Sequence, residues 1–473
     1  MSEPRFAVVG HPNKGKSSIV ATLAADDSVR VAPEPGTTAV SREFPMTVDG
    51  QRLYTLIDTP GFQRARRAHA WMSERLTSAD RHAAVVGDFV AEFAGSGKFT
   101  DEVELLRPIV DPQRPAGILY VVDGSVPYGP EYEAEMEVLR WTGRPSLALI
   151  NPIGEADHVE AWRAALGQYF KIVRVFNAVT AEFDKRLELL RAFGQLAEGW
   201  RAPLERATEA LESDRRRRRR ESAREVGGMI VDALTLSVSR KLGPAEDPHG
   251  HEAGLLETFK GQLRRREKRS RDAVEAVYDH HGLDRREGST AEAAREDEAL
   301  AGDLFSQEAW LMFGLRRRDL VLAGAGGGAA AGGTLDVAAG GTSFLLGAAI
   351  GAVVGGAMGW MGAGRLAEVK VVNRPLGGKL LRCGPVKSAN FPFVLLGRAR
   401  YHHAVVSGRT HAQRGVLEID EAKAGAMNPL TDGQRKALSA AFRAVGKAGD
   451  GAGEAAAEAR EQTVQAVEDV LEP

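Results

Sequence analysis

With 473 residues the chain is too long for a single hydrophobic core and fits two to four domains. Its 62 basic and 64 acidic residues leave a net charge of −2, which excludes a global attraction to nucleic acid or anionic membrane and confines any such affinity to local patches. The one cysteine, Cys383, excludes a disulfide framework and an all-cysteine metal site and reads as a small buried hydrophobe.

The opening Met-Ser-Glu-Pro-Arg leads into a strand pattern with no apolar leader, so a cytoplasmic location is expected. Residues 6–9, Phe-Ala-Val-Val, predict a buried strand, and residues 18–24 predict a helix. Between them runs Gly10-His11-Pro12-Asn13-Lys14-Gly15-Lys16-Ser17, which fits G-x-x-x-x-G-K-[ST]. Glycines at the two ends let the loop curl so that successive amides face inward at phosphate groups, and the helix N-terminus that begins with Ser17 and Ser18 adds partial positive charge. Lys16 is placed to reach the outer phosphates and Ser17 to bind Mg²⁺.

Further apolar runs at residues 53–57, 117–122, 146–150 and 171–176 alternate with helical stretches. That order predicts an α/β domain with a parallel sheet and helices on both faces, whose ligands sit at the carboxyl ends of the strands. The candidate motifs fall there. Asp58-Thr59-Pro60-Gly61 follows one strand directly; the aspartate can hold Mg²⁺ through water and the Gly61 amide can sense a γ-phosphate. Pro35-Gly36-Thr37-Thr38 lies between the first helix and that strand, where a threonine hydroxyl could complete the Mg²⁺ shell; by itself the run is also an ordinary turn. Asn151-Pro152-Ile153-Gly154 and Asn177-Ala178 follow the last two strands.

Together these residues resemble GTPases of the translation-factor class, specifically the TrmE–Era–EngA–septin group, over about residues 5–195. The resemblance implies GTP and GDP as ligands and Mg²⁺ as cofactor. It makes Thr38 the switch threonine, Asp58 the magnesium-linked acid, and Lys16, Thr38 and Gly61 the residues nearest the reaction. The group often carries Asn in the loop, linked to potassium-stimulated hydrolysis, which makes Asn13 the candidate K⁺ ligand; an asparagine chosen for turn geometry is the alternative. Two departures stand out. Phe62 occupies the place where many GTPases carry a water-orienting glutamine, so slow hydrolysis is expected, with the catalytic group elsewhere or on an activating partner. The base-reading Asn-Lys-x-Asp keeps only Asn151; Pro152 and Gly154 replace the lysine and aspartate, with Glu155 or Asp157 as candidate substitutes, and Ala178 resembles the element that contacts the guanine oxygen.

The 55 residues between Gly61 and Gly117 exceed an ordinary connection and carry helical patterns near residues 70–76 and 82–93, so a helical insertion over about 62–115 is expected. Arg64, Arg66 and Arg67 open it and read as solvated, or as reaching nucleotide or partner.

From about residue 201 to 319 the chain reads as charged helix, with arginine runs at 215–220, 264–271 and 316–318. Interleaved glutamates favour solvated helices with charge pairs; anionic lipid or RNA phosphate is the alternative. Residues 320–364 carry a single charge, Asp336, with glycines at four-residue spacing that place small residues on one helix stripe. A helical hairpin is expected, from Leu320 to Gly364, that inserts in a membrane or packs as a buried, oligomerising pair, with a disordered linker as the third reading. Residues 367–372, 379–381, 392–396, 402–406 and 416–419 read as strands of a small α+β unit over 365–473; a capped helix is expected from Thr431 with Gln434, and a last one over about 454–471. Adjacent side chains face apart, so the histidine pairs at 280–281 and 402–403 do not make a metal site without partners the sequence does not show.

As a whole the layout resembles a bacterial family in which an Era-like GTPase is fused to a C-terminal domain of unknown function. The expected domains are 1–200, 201–319, 320–364 and 365–473. The expected function is a slowly hydrolysing GTP switch coupled to a membrane-associating or oligomerising C-terminal part, at the cytoplasmic face of the inner membrane or free in the cytoplasm. The alternatives are an RNA-binding GTPase of ribosome or tRNA maturation, and a nucleotide-binding scaffold without turnover.

Overall fold

The computed structural model describes residues 3–25, 40–155, 157–243, 246–280, 304, 358–361, 379–410, 412, 429–449 and 453–471. They form two compact units, one of residues 1–215 with 408–414 and one of residues 216–407 with 415–473.

The first unit is built on a six-stranded sheet of order β2-β3-β1-β4-β5-β6. Its strands are β1 (Arg5–Val9), β2 (Arg42–Val48), β3 (Gln51–Asp58), β4 (Gly117–Val122), β5 (Ser146–Ile150) and β6 (Val173–Val175). All neighbours pair in parallel except β2, which runs antiparallel to β3. The central strands are apolar without interruption because both faces are covered. Ala7 and Val9 of β1, with Tyr120 and Ile150, face one core, and Phe6 and Val8, with Leu119 and Leu149, face the other. The second core is closed by α1 (Lys16–Ala24), α7 (Phe183–Gly194) and the start of α8 (Glu198–Thr235) through Ile19, Leu190 and Leu204. Phe6 and Phe193 lie with ring centroids 4.0 Å apart.

On the opposite face the expected insertion is helical: α2 (Ala65–Arg75), a short 3₁₀ turn, α3 (His82–Phe93) and α4 (Thr100–Val110), followed after β4 by α5 (Glu133–Trp141) and α6 (Val159–Leu166). Trp71, Phe89, Phe93 and Phe99 make edge and tilted ring contacts that lock α2 and α3 to the start of α4. Strand β2 has a mostly exposed face, which is why no apolar run announces it.

Among its described residues the second unit holds the remainder of α8, a three-stranded antiparallel sheet of order β7-β9-β8, and four further helices. The strands are β7 (Val238–Leu242), β8 (Met358–Met361) and β9 (Lys379–Cys383); the helices are α9 (His249–Val277), α10 (Phe391–Gly408), α11 (Asp432–Ala448) and α12 (Glu454–Glu468). Residues 392–396 and 402–406, expected as strands, are both parts of α10. The helix is buried on nearly every side, so its apolar run has no polar face to reveal the helical period. Met358–Met361, expected in the glycine-rich helical hairpin, is instead a strand that pairs antiparallel with β9. Pairing saves its backbone groups at an edge left open by β7, whereas glycine costs a helix about 1 kcal/mol per residue. The rest of the hairpin, and the strands expected at 367–372 and 416–419, lie outside the described residues. The capping box at Thr431 and Gln434 is present in full.

Cys383 is buried, and that burial raises its thiol pKa, as befits a packing residue. The paired histidines are structural too: His402 Nε2 lies 3.0 Å from Glu275 Oε1, His403 Nε2 2.9 Å from the Tyr278 hydroxyl, and His280 Nε2 3.3 Å from the Val406 carbonyl. Among the described residues no group of three or more His, Cys, Asp or Glu side chains is arranged to hold a metal, and no helix is long and apolar enough to cross a membrane.

Candidate nucleotide site

The loop after β1 has the geometry that phosphate binding needs. Gly10 has φ 146° and lies so close to β4 that an added Cβ would stand 2.3 Å from the Val121 carbonyl oxygen. Asn13 and Gly15 take left-handed conformations with φ 60° and 78°, which curl the chain into the first turn of α1. Lys16 is 7 % exposed and donates from Nζ to the His11 carbonyl at 2.9 Å. Burial lowers its pKa from 10.5 to about 8, while Asp58 and then Glu135 act in the opposite direction.

The motif after β3 meets this loop. Ser17 Oγ donates to Asp58 Oδ2 at 2.9 Å, so a hydroxyl and a carboxylate converge at the start of α1. A pair of hard oxygen donors beside a phosphate loop fits Mg²⁺, which keeps most of its shell for water and phosphate. Thr59 Oγ1 donates to the Val8 carbonyl at 2.7 Å and fixes the turn. Gly61 packs on the loop so tightly that a Cβ would lie 2.6 Å from Pro12 N. The Phe62 amide donates to the Gly10 carbonyl at 3.2 Å, and its ring is buried among the insertion helices. Thr38 lies outside the described residues, and Ser18 occupies the first turn of α1.

The third group closes the loop from the side. Asn151 Nδ2 donates to the Lys14 carbonyl at 3.2 Å, and its Oδ1 accepts from the Ala178 amide at 3.2 Å. Asn177 Nδ2 donates to the Pro152 carbonyl at 2.9 Å, and its Oδ1 accepts from the amides of Val179 and Thr180. The sequence-predicted residues Gly10 to Ser18, Asp58, Gly61, Asn151, Asn177 and Ala178 therefore come together at one end of the sheet. Asp123, just after β4, accepts from the Ser125 amide and hydroxyl and from the Ile153 amide and lies 4.0 Å from Lys14 Nζ of the loop, while Ile153 is 57 % exposed and Glu155 and Asp157 are exposed. Among the described residues of this loop, none repeats the fixed carboxylate that ordinarily reads guanine.

Two acids were missed. Glu135 of α5, 1 % exposed, receives His11 Nδ1 at 2.8 Å and the Tyr120 hydroxyl at 2.9 Å. Glu102 of α4, equally buried, accepts from the amides of Gln63 and Arg64. Each is an acid on the apolar face of its helix, in register with Val138 and Leu139 or with Leu105 and Leu106, and that misplacement was the available signal.

The arginine runs at 215–220 and 264–271 are largely spoken for, and the run at 316–318 lies outside the described residues. Arg215 lies 3.5 Å from Asp184 in the first unit. In the second, Arg217 pairs with Glu221, Arg218 with Asp279 and Arg220 with Glu468, while Arg219 donates to the Glu468 carbonyl. Lys268 pairs with Asp272, and Arg271 with Glu267. This is the solvated, internally paired arrangement. Arg64, Arg66 and Arg67 are exposed.

Residues 5–151 match the family profile described as 50S ribosome-binding GTPase, and residues 163–471 match the one described as domain of unknown function DUF3482. Among curated proteins, GTPase Der of Herminiimonas arsenicoxydans is 50 % identical over 60 residues, 13 % of each chain. GTPase Der of Acidithiobacillus ferrooxidans is 31 % identical over 166 residues, 33 % of this chain and 36 % of that one. The chain thus spans between about an eighth and a third of these relatives' length. Among solved structures, Aquifex aeolicus Era bound to GDP·AlF4⁻ is 17 % identical, with a TM-score of 0.29 over 59 % of this chain and 90 % of that one. NFeoB from S. thermophilus with GDP·AlF4⁻ and K⁺ is 16 % identical, with a TM-score of 0.22 over 59 % and 91 %. The N-terminal unit is a P-loop GTPase domain, and the chain, matched over more than half its length, belongs to the DUF3482 family.

Proposed function

We propose that this chain is a GTP-driven switch whose nucleotide state is passed to its DUF3482 part. The observation that carries the reading is the convergence of Lys16, the Ser17–Asp58 pair and the Asn151–Ala178 clamp on one loop. The loop amides and Lys16 hold the phosphates. Ser17 and Asp58, with Thr38 as third candidate, hold Mg²⁺, which when bound neutralises charge building on the β- and γ-phosphate oxygens. Gly61, packed on Pro12, is the amide nearest the γ-phosphate.

Turnover is slow in this reading, because Phe62 turns into the core and offers no hydrogen bond to water. Asn13 at the exposed rim of the loop is the proposed K⁺ contact, and equal hydrolysis in potassium and sodium would remove it. The protein is proposed to act in the cytoplasm. Residues 320–364 are the proposed contact with a membrane or a second copy; complete recovery in the soluble fraction with no liposome flotation removes the membrane arm. The internally paired arginine runs weigh against an RNA grip.

The test is binding of fluorescent GTP, GDP and ATP analogues to the full chain, with Mg²⁺ or EDTA. Mg²⁺-dependent binding of the guanine nucleotides is expected, and Lys16→Ala should weaken it at least about a hundredfold. No binding of any nucleotide, or unchanged binding by Lys16→Ala, overturns the proposal.

A further inference from the structure

Helix α4 touches the chain just before β2 and just after β3. Glu102 in its first turn accepts from the Gln63 amide at 2.9 Å and the Arg64 amide at 2.5 Å through one oxygen, Oε1. Those two amides follow Asp58-Thr59-Pro60-Gly61 with only Phe62 between. Two residues on, the Glu104 carbonyl accepts from Ser41 Oγ at 2.7 Å. Ser41 stands just before β2, three residues after Thr38.

The helix is a firm base for these contacts. At its far end the Pro108 carbonyl accepts from the Ala116 amide at 2.9 Å, and the Ile109 carbonyl from Arg144 Nε at 3.1 Å, next to the starts of β4 and β5. At its near end Phe99 lies 4.8 Å from Phe93 and 5.2 Å from Phe89, ring to ring. A carboxylate 1 % exposed is costly to bury and persists only where it is well bonded. The turn from Gly61 to Arg64 is thus held by three amide bonds, Phe62 to Gly10 and the two to Glu102.

We propose that Glu102 is a positioning residue for the γ-phosphate sensor: it fixes the turn so that Gly61 stands ready over the loop, and it couples the α2–α4 insertion to the nucleotide state. The inference rests on the GTP reading above. Without Glu102 the turn keeps one bond, and the γ-phosphate must then order it at its own expense. GDP, which does not reach Gly61, is indifferent to this.

The experiment measures affinities of the full chain for GDP and a non-hydrolysable GTP analogue, with Mg²⁺, in Glu102→Ala, Glu102→Gln and Ser41→Ala. Glu102→Ala should bind the analogue about tenfold more weakly and GDP within about twofold, with KM for GTP raised in step. Glu102→Gln keeps a carbonyl acceptor in place and should recover most of the loss; Ser41→Ala should shift the same ratio by about threefold. Equal weakening of both nucleotides, or no change in the ratio, assigns Glu102 to folding alone and overturns the inference. If Glu102→Ala does not fold, the ratio of Ser41→Ala decides by the same criterion. A wild-type chain that binds neither nucleotide overturns the GTP reading and this inference together; one that binds both, with unchanged ratios in Glu102→Ala and Ser41→Ala, overturns the inference only.

Discussion

His11 Nδ1 lies 2.8 Å from Glu135 Oε1, so a residue of the phosphate loop is tied to a buried acid on the helix after β4. Burial raises the Glu135 carboxyl above its ordinary range, and bonds from His11 and Tyr120 and the charge of Lys16 pull the other way. Lys16 shows the mirror image. Burial brings it down to about 8, and the charges of Asp58 and Glu135 keep it from falling further. The loop therefore carries a lysine whose charge is lost only slightly above neutrality.

The first prediction is a bend in nucleotide affinity near pH 8. Phosphate contact stabilises the ammonium, so binding to the neutral form must be preceded by uptake of a proton. Affinity should be level between pH 7 and 7.5 and then decline toward about tenfold per unit above 8. Glu135→Gln removes one of the charges that support the ammonium, so its bend should move to lower pH. Titration of a fluorescent GTP analogue from pH 7 to 9.5 reads both; a flat profile in the wild type would contradict the burial of Lys16.

A second prediction concerns stability without nucleotide. The Lys16 pKa is lower in the fold than in the unfolded chain, so the unfolded chain binds more protons between about pH 8 and 10.5. Stability gains from this group as pH rises through that window, and the ammonium is a burden below it. A depression of this size corresponds to about 3 kcal/mol at most. Lys16→Met should stabilise the nucleotide-free protein by about 1–3 kcal/mol at pH 7, with a smaller gain at pH 10, while abolishing binding. Urea unfolding at the two pH values checks it, and a destabilised variant at pH 7 would refute it.

The third prediction addresses the metal. Ser17 Oγ and Asp58 Oδ2, 2.9 Å apart, are the only described residues among the three proposed Mg²⁺ positions. In the wild type, excess Mg²⁺ should tighten binding of the GTP analogue by at least about tenfold over EDTA. Ser17→Ala and Asp58→Asn should each reduce that ratio to about two or less, while the Mg²⁺-independent affinity changes little. Ratios that stay at the wild-type level in both variants would place the metal elsewhere.

How much of this was readable in the sequence differs between the units for a physical reason. In the first unit each apolar run is a short strand bounded by a loop with glycine or asparagine, so period and punctuation agree. The phosphate loop, Asp58, Asn151 and Asn177 all landed at the carboxyl ends of strands, as the alternating pattern required. What stayed hidden there were contacts that need the third dimension: Glu102 and Glu135 stand out on the apolar faces of α4 and α5, but their partners in distant loops show only once the helices are packed. In the second unit the reading of residues 392–396 and 402–406 as strands failed because α10 is buried on nearly every side and shows no amphipathic period. The arginine run at 215–220 told nothing of its acidic partners, three of which lie far away in sequence, at Asp184, Asp279 and Glu468.

The last prediction tests that second unit through a deeply buried ion pair. Arg398 of α10 donates from Nε to Glu267 Oε1 of α9 at 2.5 Å, with the two side chains 4 % and 8 % exposed. Arg271 approaches the same oxygen at 3.7 Å from a more exposed position, where water can take over its solvation. Removing one member takes from the other its closest counter-charge in a low-dielectric interior, so Glu267→Ala or Arg398→Ala should each cost about 3–5 kcal/mol. Replacing both by methionine fills similar volume without stranding a charge. Glu267→Met with Arg398→Met should therefore recover all but about 1–2 kcal/mol of either single loss. The interaction energy follows from urea unfolding of the wild type, the two single methionine variants and the double. Strictly additive losses would show that the two residues do not depend on each other, against the contact between α9 and α10 described here.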